Sequence, residues 1–475
     1  MTRPRLTRSQ LTLSIVCAAT AMLMLDIAVV NTAVPRIARD LNAGFESIQW
    51  IVDAYTVALA ATVLTAGSIA DRIGRRRSFG FGLALFTLMS IACGAAPSIA
   101  TLDAFRALQG VGAAVMFATS MALIRDAYPE PATRGGAFAA YGATIGASFA
   151  VGPLVGGALT DWLDWRAIFF LNVPIGLASL AVIRRIHDGR ERQSRPIDWV
   201  GQTLLVIGLV ALVAALLRGN SQGWSSTEIE ALLAVASVAL VSFVISQFQS
   251  RAPMLPPALF RNPSFTGAQI AAFAISASFF AQFVYASLYL QNILGLSPIK
   301  TGLVFMPGTV VLLLVSGMTA QLQAKVSARM LITVGLAGVA IGLASMLVMT
   351  AHSSWWVLEP GFIIASIGTG LFNPAVSTVV LRESDADNAS LAAGVHDTFR
   401  QGGIALGVAV LGSLVPAAGA LGSGDGTAFV DGLRHATVVA AVLSAVGAVA
   451  SAYLIDRNHR QAEVPIELAE PAMAA

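Results

Sequence analysis

The chain has 475 residues, 56% of them hydrophobic and 12% charged, with 29 Lys and Arg against 26 Asp and Glu for a formal net charge of +3. Soluble domains carry about a quarter charged residues, so this chain cannot cover a water-facing surface of its own size, and a mean hydropathy of +0.75 names the lipid bilayer as its solvent. The basic residues stand in short clusters between apolar runs rather than along one polar face, which excludes nucleic acid as a partner and concerns orientation in a membrane instead.

Apolar runs of about 17 to 25 residues are long enough to cross the hydrocarbon core. They predict fourteen helices, numbered in chain order over about 12–34, 49–70, 79–98, 102–124, 137–159, 167–184, 199–217, 229–248, 265–290, 301–320, 329–350, 356–380, 392–416 and 435–455. Helix 1 follows Arg3, Arg5 and Arg8 as a signal peptide would, but its apolar run continues to about Val34 and stays in the mature chain. Cys17 and Cys93 lie inside apolar segments and offer neither a disulfide framework nor metal spacing.

An even number of helices puts both termini on one side. Arginines and lysines outside the helices favour that side by about three to one, which predicts cytoplasmic termini in a bacterial inner membrane. The basic stretch from Arg184 to Pro196 is a mid-chain linker, and the polar tail from Asp456 onward is expected to be disordered. The expected units are a six-helix half over 1–187, a linker with two inserted helices over 188–262, a second six-helix half over 263–455, and the tail over 456–475.

A weak internal repeat supports two halves. After helix 2 the chain reads Gly67-Ser-Ile-Ala-Asp71-Arg72-Ile-Gly74-Arg75-Arg76-Arg77, and after helix 10 it reads Gly317-Met-Thr-Ala-Gln-Leu-Gln-Ala-Lys325. Gly67 permits close helix approach, Asp71 suits a helix N-terminus, and the arginines suit water and lipid phosphates. Helix 5 carries Gly142, Gly146, Gly152, Pro153, Gly156 and Gly157, small residues that let helices pack backbone to backbone around a proline bend. Helix 1 contains Leu25-Asp26-Ile-Ala-Val-Val-Asn31-Thr-Ala-Val-Pro35, and helix 2 opens Trp50-Ile-Val-Asp53-Ala-Tyr55. Helix 4 contains Arg106-Ala-Leu-Gln109-Gly110-Val-Gly112, and helix 6 is entered through Trp165-Arg166 and continues to Asn172-Val-Pro174-Ile-Gly176.

These segments resemble the major facilitator transporters, and in particular their fourteen-helix drug:proton antiporter branch, which includes multidrug and quaternary-ammonium exporters. The resemblance covers nearly the whole chain and is densest from Leu25 to Gly176. It departs from the family at Ile69, where leucine is common, at Ala28, where threonine is usual, and at Asp397, where asparagine is typical. It implies an all-α polytopic membrane protein with the major facilitator fold: helices 1–6 and 9–14 form two six-helix halves and helices 7 and 8 are inserted between them. It further implies that Gly67, Asp71, Arg72, Gly74, Arg75 and Arg76 form a conformational latch, and that the helix 5 glycines with Pro153 form the antiporter motif of exporters.

Ionisable groups inside a bilayer are costly and mark function. Asp26, Asp53 and Arg106 lie at similar depth on helices 1, 2 and 4, so Arg106 can pair with either carboxylate and a cationic substrate can compete for the same acid; Asp26 is read as the first proton or cation site, tuned by Arg106. On helix 13, Asp397, Arg400 and Gln401 share a face, which makes Asp397 a second proton or cation site or one half of an intrahelical ion pair. His396 is read as a solvated or capping group, and Asp53 as lying near enough to the interface to be hydrated. Asn31, Gln109, Gln282, Asn373 and Gln401 are polar in apolar surroundings and are candidates for the substrate cavity, with Phe279, Phe280, Phe283, Tyr285, Tyr289, Phe305 and Phe372 as candidate aromatic walls.

The function expected from the residues and the resemblance is proton-coupled antiport that exports drug-like organic molecules, cationic or amphipathic, by alternating access. Protons, a small-molecule drug and the lipid bilayer are the expected partners, the chain acts as a monomer, and no cofactor or enzymatic activity is implied. No G-x-x-x-x-G-K-[ST] loop is present for ATP. A dedicated exporter of one antibiotic or secreted metabolite remains the alternative, with a membrane enzyme or sensor as a remote one.

Overall fold

A computed structural model describes residues 7–186, 196–384, 389–416 and 426–456. The stretch 188–195 of the expected linker and the tail beyond 456 lie outside the described residues. Fourteen long helices are present among the described residues. In the first part of the chain α1 is Arg8–Asp40, α2 Phe45–Ile73, α3 Arg75–Gly94, α4 Ile99–Ala127 and α5 Pro131–Trp162. After these come α6 Ala167–Arg185, α7 Trp199–Gln222, α8 Thr227–Gln249 and α9 Pro263–Ile293. The last five are α10 Pro298–Leu322, α11 Ala328–Ser345, α12 Glu359–Arg382, α13 Ala389–Ser413 and α14 Gly426–Leu454.

Thirteen of these are long and apolar enough to cross a membrane. The other, α13, has 25 residues but carries His396, Asp397, Arg400 and Gln401 in its first half. Polar residues start the helices where the apolar runs begin. Thr7 forms a capping box with Gln10 at α1, Ser98 does so with Thr101 at α4, and Asp198, Ser226, Asn262, Ser297 and Ser327 cap α7 to α11.

Several boundaries differ from the sequence expectation, and two of the differences have a clear local cause. The Gly67 to Arg77 segment is helical apart from Gly74, whose φ of +101° makes the whole turn between α2 and α3 in one residue. The last helix starts at Gly426 rather than near 435, because Phe429, Val430 and Leu433 of its first turns pack into the core.

Within the first six helices α1 packs on α5, α2 and α3 pack on α4, and α3 packs on α6. The same pairings recur eight helices later, α9 with α13, α10 and α11 with α12, and α11 with α14. Contacts between the two groups obey the same shift: α2 meets α13, and its counterpart α10 meets α5. The inserted α7 packs on α2 and α13 and carries α8 on its outer side. Two side-chain bonds tie α7 to α2, Thr65 with Gln202 and Arg218 with Glu46, and Asn220 Nδ2 donates to the Ser413 carbonyl at the end of α13.

Candidate functional site

A buried polar knot joins five helices of the first group. The Asp26 carboxylate on α1 receives Arg106 Nη1 of α4 at 2.5 Å, Gln109 Nε2 of α4 at 3.0 Å and Asn172 Nδ2 of α6 at 3.0 Å. Gln109 Nε2 also donates to Ser90 Oγ on α3 at 2.8 Å, while its Oε1 accepts from Arg106 Nη1 at 2.7 Å. Arg106 Nε bonds the Ile51 carbonyl of α2 at 3.0 Å, and the guanidinium lies 4.3 Å from the centre of the Tyr55 ring. Asp26 is 0% exposed and Arg106 2%. Of the two carboxylates within reach of Arg106, the structure pairs it with Asp26, and Gln109 supports that pair instead of reaching an open cavity.

Asp53, on α2, has the opposite environment. It is 0% exposed, not hydrated at an interface as its position suggested, and neither carboxylate oxygen has a hydrogen-bond partner. One turn away, Gln49 Nε2 donates to the Tyr285 hydroxyl of α9 at 2.8 Å, and that hydroxyl donates to the Val408 carbonyl of α13. Asp53 is thus one turn from the point where α2 is tied to both α9 and α13 of the other group. A buried carboxylate with no partner is the costly case, and the cost falls away when it takes up a proton.

The two groups are closed against each other at one end. Arg39 Nη2 donates to Asn292 Oδ1 at 2.6 Å and Gln291 Nε2 to the Thr32 carbonyl at 2.8 Å, while Gly157 of α5 seats Pro298 and Gly302 of α10 seats Pro153. Gly152 and Gly156 of α5 seat Ala28 and Val29 of α1, so one row of small residues builds two different contacts. Toward the end that carries Arg8, α5 and α10 part. Gly146 still meets Leu313, but no described atom lies within 4 Å of a Cβ placed at Gly142 or at Gly317.

A cavity of about 250 Å³ opens there, lined by Phe117 and Arg125 of α4, Arg134 and Phe138 of α5, Leu381 of α12 and Asp397 of α13. Asp397 Oδ1 pairs with Arg400 Nη2 at 3.3 Å, with 13% and 23% side-chain exposure respectively. His396 is packed into the protein against Gln269 of α9 at 3.3 Å, a buried partner that corrects its reading as a solvated cap.

Residues 16–408 match the family described as the Major Facilitator Superfamily. The chain belongs to that superfamily. It is 34% identical to the multidrug resistance protein Stp of Mycobacterium tuberculosis, over 83% of this chain and 74% of that protein. It is 36% identical to the puromycin resistance protein pur8 of Streptomyces alboniger, over 92% and 88%. Against the cephamycin export protein CmcT of Amycolatopsis lactamdurans it is 34% identical, over 84% and 83%. Among solved structures, that of the human organic anion transporter MFSD10 (TETRAN) superposes with a TM-score of 0.64 at 13% identity, covering 94% of this chain and all of that one, a likeness of fold.

In this member of the superfamily the segment after α2 is an ion-pair node. Arg75 is buried, with Nη1 2.9 Å from both Asp126 oxygens of α4 and Nε 3.4 Å from Asp71 Oδ1. Arg76 Nη1 reaches the Arg184 carbonyl at 3.1 Å, and a Cβ placed at Gly67 would lie 3.9 Å from Ala118 of α4. The other sequence candidates scatter. Gln401 and Asn31 are buried with an unpartnered Oδ1 or Oε1, Asn373 is half-buried on α12, and Gln282 lines a separate small cavity.

Sequence reasoning passed over Gln49, Ser90 and Phe149. Phe149 of α5 meets Phe280 and Phe283 of α9 at 5.2 and 5.7 Å, joining the groups through an aromatic cluster that continues to Phe305 and Phe362. Two π-helical turns in α9, Ser276–Phe280 and Tyr289–Ile293, flank these rings. The available signal was polar or aromatic residues in apolar helices, which does not say what each one faces.

Proposed function

We propose that this transporter is a proton-coupled antiporter that exports drug-like organic molecules, cationic or amphipathic, by alternating access. The observation that carries the reading is Asp53, a fully buried carboxylate without a partner at the seam between two helix groups that are closed at one end and parted at the other. A group that is hydrated in one conformation and dehydrated in the next binds a proton in the second and releases it in the first. Asp53 is the coupling carboxylate in this mechanism, the Asp26–Arg106 pair braces the helices around it, and Asp397 with Arg400 meets the substrate in the cavity.

The substrate enters the crevice from the cytoplasm, where the three-to-one excess of arginine and lysine puts both termini. The aromatic cluster forms the apolar ceiling of its path, Gln401 offers a polar group to the substrate, and the node of Asp71, Arg72, Arg75 and Arg76 with Gly67 and Gly74 latches one conformation. Residues 1–187 and 263–455 are the two moving units, 188–262 connect them, and the chain works as a monomer in a bacterial inner membrane without enzymatic activity.

A second reading is a dedicated exporter of one antibiotic. It is supported by relatives named for puromycin and cephamycin alone and by Arg125 and Arg134 in the cavity wall, which suit a substrate bearing an anionic group. Ethidium efflux from energised cells with and without a protonophore separates the two. Efflux that collapses with the proton gradient supports polyspecific antiport, and well-inserted protein that moves no ethidium supports the dedicated exporter.

A further inference from the structure

A fourth acid lies apart from Asp26, Asp53 and Asp397. Glu359 is in the first turn of α12, at the closed end of the bundle, and both its carboxylate oxygens are buried without a hydrogen-bond partner. It lines a cavity of about 20 Å³, roughly the room one water needs, together with Gln282 and Tyr289 of α9, Phe305 of α10 and Phe362 of α12. Gln282 is 6% exposed; its Nε2 donates to Thr437 Oγ1 at 2.8 Å, and its Oε1 is an unpartnered acceptor.

An ionised Glu359 and Gln282 Oε1 therefore supply three acceptors to one apolar cavity and no donor. Tyr289, the other titratable residue lining it, spends its hydroxyl on the Thr350 carbonyl at 2.7 Å. From α14 the cavity receives Leu433, while Arg434 turns away to the Leu347 carbonyl and to Asp431. Neither α9 nor α10 sends a charged group into the cavity. An acid in a first helical turn ordinarily serves the free N–H groups of that turn, but Glu359 accepts a bond from none of them.

We propose that Glu359 is a proton-binding site, with the carboxyl protonated in this conformation and its O–H supplying the donor that Gln282 Oε1 lacks. Opening of the closed end hydrates the cavity and releases the proton from an acid that then carries its charge in water. The site rests on the antiport reading only for its role in coupling; its protonation stands on the cavity itself.

Dicyclohexylcarbodiimide adds to protonated carboxyls in apolar surroundings, and peptide mass mapping locates the adduct. With the purified full chain in detergent, Glu359 is expected to be modified at about pH 6 and to lose most of that modification at about pH 9, with Glu359→Gln unmodified at the same peptide. An unmodified Glu359 at both pH values overturns the site, whatever the efflux measurements give. If Glu359 is modified but efflux ignores the proton gradient, the site stands and the antiport reading falls. If efflux is proton-coupled and equally fast and equally pH-dependent in Glu359→Gln, the coupling role of the site is refuted.

Discussion

Gln49 of α2 donates a 2.8 Å hydrogen bond to the hydroxyl of Tyr285 on α9, and that hydroxyl donates in turn to the Val408 carbonyl of α13. A single phenol thus couples the two helix groups one turn from Asp53. Gly412 of α13 leaves the room for this contact, since a Cβ there would collide with the Gln49 amide and the Tyr285 oxygen. Tyr285→Phe keeps the ring and removes the O–H. The variant is expected to fold, to lose about 1 kcal/mol of contact between the groups, and to open the closed end more often. Alkylation of a cysteine placed at the closed end, at Asn292, reads this as faster labelling; an unchanged rate refutes it.

The two acids of the first group are expected to respond in opposite ways to amide substitution. Asp26→Asn leaves Arg106 buried without its counter-ion, a change that costs about 3 to 5 kcal/mol, so the detergent-solubilised protein melts at clearly lower temperature and efflux falls with it. Asp53→Asn removes a buried carboxylate that has no partner to lose. Its melting temperature stays level or rises while proton-coupled efflux is lost. Thermal melting alongside vesicle transport decides the matter, and full proton-coupled efflux by Asp53→Asn rejects Asp53 as the coupling group.

Asp397 and Arg400 largely neutralise each other at 3.3 Å beside the cavity. Replacing Asp397 by asparagine leaves the arginine charge in place, and transport of cationic substrates is expected to drop more than that of neutral ones. Equal losses for both classes assign the pair to structure alone.

Along the α5–α10 contact, the position of each glycine decides its tolerance. Gly157→Leu and Gly302→Leu place side chains against the backbone of the facing helix, Pro298 in one case and Pro153 in the other. These variants are expected to keep the closed end from sealing and to abolish efflux with normal membrane insertion. Gly142→Ala meets no described atom in this conformation and is expected to change stability by no more than about 0.5 kcal/mol, read as a nearly unchanged melting temperature.

Much of this protein is legible in its sequence because the bilayer imposes a length and a polarity on every crossing. The fourteen apolar runs, the two matched halves with α7 and α8 between them, and the rarity that marks Asp26, Asp53, Arg106 and Asp397 all follow from that constraint and from the family motifs. Even α13, which carries His396, Asp397, Arg400 and Gln401 in its first half, falls on one of the predicted runs.

Which partner each polar group finds was decided by tertiary structure. Asp26 and Asp53 look alike along the chain, an acid in an apolar run at similar depth. They differ because α1 presents its acid to Arg106, Gln109 and Asn172 inside one helix group, whereas α2 presents its acid to the seam between groups. Glu359 drew no notice as a first-turn acid until the packing of α9, α10 and α12 enclosed it with Gln282. Hydropathy records how far a residue lies along a helix, but the direction it faces depends on helix rotation and on π-helical turns such as those in α9. Those rotations are set by packing between segments hundreds of residues apart.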